Sequence, residues 1–110
     1  MNQRFPKSFR LRSKADFSHM RRGERISYGA IRLVCQHNTL GFSRLGLAVS
    51  RRYGNAVQRN RFKRQVRDVF RTGDYHRLSV DILVIPTQRA EQMPSVTHDF
   101  QMALRRVHCK

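Results

Sequence analysis

The chain has 110 residues, enough for a single domain with one modest core. Its 23 Lys and Arg oppose 7 Asp and Glu, for a formal net charge of +16 and a sequence pI near 11.7. Self-repulsion on that scale disfavours a compact monomer unless a polyanion relieves it. The sequence has no long apolar run and no signal-peptide core after Met1, so the expectation is a cytoplasmic protein with no membrane partner.

Residues 1–8 are basic and read as poorly ordered, with Pro6 set against a helix. Ser13 fits an N-cap with Asp16 three residues on, which predicts a short helix over 14–22 that Gly23 ends. Phe17 and Met20 share one face of it. Residues 26–35 alternate as a strand, in a region that also admits a split in two. Ile31, Leu33 and Cys35 fall on one side of it, and Ala30, Arg32 and Val34 on the other. His37-Asn38-Thr39 reads as a turn. Residues 44–50 predict another strand, with Leu45, Leu47 and Val49 facing one way. Gly46, Ala48 and Ser50 face the other way and leave room for close packing. These two strands are expected to pair as an antiparallel hairpin.

The stretch from Gly54 to Arg71 is the most informative. Asn55 is an N-cap with Gln58 placed to complete a capping box. Phe62, Val66, Val69 and Phe70 make an apolar stripe at helical spacing. Asn60, Arg64, Arg67 and Arg71 make a polar stripe opposite, flanked by Arg61 and Lys63. Like charges one turn apart repel, and only Asp68 stands near to relieve them. A phosphate backbone is the natural compensator, because guanidinium binds phosphate bidentately and releases counterions. A turn at Gly73-Asp74 follows. Residues 79–85 are almost continuously aliphatic, as in a strand buried on both faces and paired in parallel. Together with 44–50 and the helix, they form a βαβ unit. Pro86 ends the strand, and 88–93 read as a linker. Pro94 and Ser95 start a last helix over 95–108, with Val96, Phe100, Ala103, Leu104 and Val107 on its apolar stripe.

The run Arg51-Arg52-x-Gly54-Asn55-Ala56-Val57-x-Arg59-Asn60-Arg61-x-Lys63-Arg64-x-x-Arg67 resembles the signature of the bacterial ribonuclease P protein subunit. Arg10-Leu11, Asp16-Phe17 and Gly23 match the N-terminal pattern of the same family. The resemblance implies an α/β fold: a two-layer α-β sandwich with a small mixed sheet, in the order αβ(β)βαβα. It also implies a left-handed βαβ crossover, where most such units are right-handed. It further implies one RNA-binding domain over residues 1–110 that acts in 5′ maturation of precursor tRNA. In that family the large RNA subunit cleaves with Mg²⁺, and the protein steadies the RNA and grips the 5′ leader. Carried over by residue, Arg51, Arg52, Arg59, Asn60, Arg61, Lys63, Arg64, Arg67 and Arg71 are the expected contacts to the ribonuclease P RNA. Phe17 and Met20, with the groove side of the sheet, are the expected leader contacts, and Tyr28 is a further stacking candidate.

No motif for protein-based catalysis stands out. The seven carboxylates are scattered, and the histidines have no paired spacing. Gly54 has no glycine-rich lead and no Lys-Ser/Thr end, so there is no phosphate loop. Cys35 and Cys109 read as reduced thiols outside any Cys-x-x-Cys pair, which argues against zinc. No protein-held metal and no small-molecule cofactor are expected. Two other classes share the basic helix: a ribosomal or general RNA-chaperone protein, and a DNA-binding protein. The second lacks a helix placed ahead of the basic one as in a helix-turn-helix.

Overall fold

The structure, a computed structural model, describes residues 10–11, 14–73, 79–93 and 95–107. The expectations placed on residues 1–8, Ser13, Asp74, Pro94, His108 and Cys109 lie outside the described residues. Helix α1 covers Lys14–His19, and Met20–Arg22 tighten into a 3₁₀ turn. Gly23 ends it, its amide donating to the Met20 carbonyl at 3.0 Å. A side chain there would meet the Cys35 carbonyl oxygen at 2.6 Å, so only glycine lets the turn lie this close to the sheet.

Four strands follow: β1 Glu24–Tyr28, β2 Ile31–His37, β3 Arg44–Leu47 and β4 Val80–Pro86. Their order across the sheet is β1-β2-β4-β3. The single strand read over 26–35 is thus a hairpin of β1 and β2. Gly29, at φ +55°, makes its turn, and Asp99 Oδ2 accepts the Ala30 amide at 3.1 Å. The antiparallel hairpin expected between 26–35 and 44–50 does not form. Instead, β2 pairs with β4 antiparallel, and β3 pairs with β4 in parallel. The nearly continuous aliphatic run of β4 can be buried on both faces, and that gives it the place between β2 and β3.

Helix α2, Ala56–Thr72, provides the connection from β3 to β4. Its expected capping box is present: Gln58 N donates to Asn55 Oδ1 and Asn55 N to Gln58 Oε1, both at 2.8 Å. Phe62, Val66, Val69 and Phe70 are all buried. Helix α3, Val96–Leu104, is shorter than expected, and Ser95 caps it. Beyond it, Arg106 leaves the helical path to donate to the Ser27 carbonyl at 2.9 Å.

Helices α2 and α3 cover one face of the sheet over a core that includes Ile26, Leu33, Phe62, Ile82 and Phe100. A smaller cluster of Leu11, Met20 and Val34 occupies the other face. The room expected over Gly46 is filled by the chain's own Leu11, whose Cδ1 would lie 2.8 Å from an added Cβ. Leu11 N donates to the Leu45 carbonyl at 2.9 Å, so the N-terminal segment covers the outer edge of β3.

Candidate nucleic-acid interface

With its apolar stripe buried, α2 turns its other side outward. Asn60, Lys63, Arg64, Arg67 and Arg71 line one depression of about 390 Å³ there. Arg10 and Asp68 complete its wall. Arg10 arrives from the far end of the chain because its backbone bridges to Leu45 beside β3. Helical spacing along α2 could not have revealed it.

The depression is strongly cationic. Asp68 Oδ1 lies 3.6 Å from Arg71 Nη2, with both side chains well exposed, so this pair neutralises little. Burial, and then the nearby Arg10 charge, hold the pKa of the Arg67 guanidinium below its ordinary value. The free fold therefore works against the Arg67 charge, and a bound anion would favour it.

The remaining expected contacts do not converge on this depression. At about 100° per residue, Arg61 points well away from its neighbour Asn60. Arg61 lines a second depression of about 410 Å³, between α2 and the 90–96 segment. Arg52 lines a third, of about 620 Å³, together with Arg89. Arg51 is exposed in the turn ahead of α2, and Arg59 is half-buried.

The sheet face opposite α2 and α3 carries a different surface. By strand alternation, Arg25, Ser27, Arg32, Val34, Leu83 and Ile85 share it. Arg25, Ser27 and Arg32 are exposed, and Leu83 and Ile85 are half-buried. The backbone of Phe17 lies in α1, and its side chain is outside the described residues. Met20, expected beside it against the leader, is only 1% exposed. It packs with Leu11 and Val34 against Leu83 and Ile85, so it secures the 3₁₀ turn to the sheet and offers a ligand almost no surface. Tyr28 belongs to the other face. It packs on the main core, stands edge-on to His98 and lies under the Arg106 guanidinium at 5.0 Å.

The buried carboxylates are committed to the fold. Asp81 is fully buried and takes Arg44 Nε at 2.9 Å and Nη2 at 2.7 Å, with Asn38 Nδ2 at 2.8 Å. Asp99 secures the β1–β2 turn. Among the described residues no three His, Cys, Asp or Glu side chains come together as a ligand set. A hard divalent cation needs several convergent oxygens, and Asp68 stands alone among cations in the basic depression, so these residues do not fit a protein-held Mg²⁺.

Comparison with known proteins agrees with this architecture. A family model described as Ribonuclease P matches residues 5–108. A ribonuclease P protein component from Staphylococcus aureus is 34% identical over 92 residues, covering 82% of this chain and 80% of that protein. A solved Staphylococcus aureus RNase P protein superposes with a TM-score of 0.82 at 31% identity, over 90% of this chain and 94% of the other. The RNase P protein from Thermotoga maritima superposes with a TM-score of 0.76 at 29% identity, over 90% and 97% of the two chains.

Proposed function

The chain belongs to the ribonuclease P family, as a protein component of the enzyme that matures tRNA 5′ ends, and on that premise we propose how its surfaces divide the work. Helix α2 holds the catalytic RNA subunit through the depression lined by Asn60, Lys63, Arg64, Arg67, Arg71 and Arg10. The exposed sheet face of Arg25, Ser27 and Arg32, beside the helix that carries Phe17, receives the 5′ leader of precursor tRNA. The observation that carries the reading is the basic depression itself: five cationic side chains face a single carboxylate, and burial already taxes one of them. Only a polyanion answers that arrangement across the whole depression.

Cleavage belongs to the RNA subunit, which also holds most of the Mg²⁺. This chain's Asp81 and Asp99 are occupied in structural contacts, which supports that division. Its own role is electrostatic, lowering the repulsion between the RNA subunit and its RNA substrate. No described helix is long and apolar enough to cross a membrane, and the proposed site of action is the cytoplasm.

The test is single-turnover cleavage of precursor tRNA by the RNA subunit, with and without this chain. The chain should raise cleavage at low Mg²⁺ and should cut nothing site-specifically alone. Phe17→Ala should weaken precursor tRNA more than mature tRNA, by about 1–3 kcal/mol if one base stacks there. Site-specific, Mg²⁺-dependent cleavage by the protein alone, abolished by one carboxylate substitution, would overturn the assignment. Equal affinity for unrelated folded RNAs would favour a general RNA chaperone.

A further inference from the structure

Asp81 lies on the same side of the sheet as α1. Val80, Ile82 and Val84 enter the main core, so strand alternation turns Asp81, Leu83 and Ile85 to the opposite face. Leu83 and Ile85 pack there with Met20, just beyond α1. Asp81 is the end member of that row, at the corner where β2 finishes and β3 and β4 begin.

A dense set of hydrogen bonds fixes this corner. Besides Arg44, the Asp81 carboxylate takes Asn38 Nδ2, which also donates to the Phe42 carbonyl at 3.0 Å. Asn38 N donates to the Ser79 carbonyl at 3.1 Å, and Ser79 Oγ donates to Asn38 Oδ1 at 2.8 Å. The same hydroxyl accepts the Gly41 amide at 3.2 Å. Ser79 stands at φ +54°, a left-handed conformation that serine seldom adopts, so these bonds hold the backbone to one path. His37 directly precedes Asn38, and its carbonyl meets His19 Nε2 at 3.1 Å. A carbonyl can only accept, so Nε2 is the donor and carries the proton. That nitrogen also lies 3.9 Å from Asp81 Oδ2. A carboxylate at that distance favours the tautomer with its proton on Nε2.

We propose that His19 is a positioning residue for the 5′ leader: its bond to the His37 carbonyl sets the orientation of α1, the helix that carries Phe17. A helix of six residues has little stability of its own, so contacts with the sheet decide where it lies. Met20 supplies the apolar contact and fixes the distance from the sheet. One buried side chain still allows the helix to pivot about it. The His19 bond reaches a different element, the end of β2, and removes that pivot. Asp81 acts at one remove, because it and Asn38 keep the accepting carbonyl in place. The His19 side chain is exposed on its outer side, so its bond adds little to global stability and acts on the local placement of α1. The inference rests on the proposed leader surface, and it names the residue that orients one wall of it.

The test compares His19→Ala, His19→Gln and Phe17→Ala in the holoenzyme, by single-turnover cleavage across a series of holoenzyme concentrations. Competition by mature tRNA gives the affinity for a substrate without a leader. His19→Ala should raise the half-saturating concentration for precursor tRNA about two- to fivefold, with the rate at saturation and the mature tRNA affinity unchanged. His19→Gln, whose amide can donate to the same carbonyl, should restore the wild-type value. In the free protein, amide exchange over 14–19 should quicken in His19→Ala and that of α2 should not. Ala is the better helix former, so faster exchange there reports the lost tether and not lost propensity. Equal losses for precursor and mature tRNA, or no rescue by Gln, would overturn the proposal in favour of a structural histidine. An unchanged precursor affinity in His19→Ala, with Phe17→Ala still weakening precursor tRNA, would overturn it and leave the leader surface standing. If neither variant weakened precursor tRNA, both readings would fail.

Discussion

Replacing Arg64 and Arg67 together by Ala separates a functional basic surface from a structural one. Both side chains line the same depression, and neither is ion-paired to a described carboxylate. Each phosphate contact contributes a salt slope of about 0.7 on a single strand and 0.9 on a duplex, so the double variant should lose about 1.4–1.8 of slope. Between 50 and 200 mM salt, wild-type affinity for the RNA subunit should then fall about 7- to 12-fold more than that of the variant. Stability should move the other way. Lys63–Arg67 and Arg67–Arg71 are one turn apart at i, i+4, and Arg64–Arg67 at i, i+3; each such like-charge pair costs about 0.2–0.5 kcal/mol. Burial and Arg10 depress the Arg67 pKa, so its charge is a cost to folding at neutral pH that only deprotonation at very high pH would lift. Loss of its half-buried stem offsets part of the relief. The free variant should therefore gain up to about 1 kcal/mol, or melt up to about 4–8 °C higher. Filter binding across a salt series and a circular dichroism melt measure the two effects. An unchanged slope with a melt lowered by more than about 8 °C would refute the reasoning.

Three other perturbations test particular parts of the fold. Asp81→Asn leaves the Arg44 guanidinium without its buried carboxylate and should cost about 3–5 kcal/mol in denaturant unfolding. Gly23→Ala drives a methyl group toward the Cys35 carbonyl and Val34, and should cost about 1–3 kcal/mol as the 3₁₀ turn lifts from the sheet. The Tyr53 pKa is raised above its ordinary 10.0, chiefly by burial. Its contribution to stability is therefore fully present below pH 10 and is lost as pH rises through the higher folded value. An absorbance titration near 295 nm should show one of the three tyrosines ionising late, and Tyr53→Phe should remove that step.

The sequence by itself determined what depends on spacing along one segment. The Asn55–Gln58 capping box and the burial of Phe62, Val66, Val69 and Phe70 followed from helical periodicity, because cap and stripe are local properties of a helix. The central place of β4 was legible in its nearly continuous aliphatic run. The parallel βαβ pairing of β3 with it was legible too, whereas the strand on its other side was not. Alternation assigns each residue to a face, and it says nothing of which edge meets which. So 44–50 was also read as the hairpin partner of the preceding strand, when β4 lies between β2 and β3. The same limit applies to the surface. Met20 and Phe17 share a helical face in the sequence, but Leu11 and Val34 close over Met20 only once the N-terminal segment has docked on β3. Consecutive residues Asn60 and Arg61 look like parts of one motif, yet helix geometry directs them into different depressions. Arg10 joins Arg67, and Tyr53 joins Arg89, across long stretches of chain. Long-range closure created those neighbours, and no local pattern carries that information.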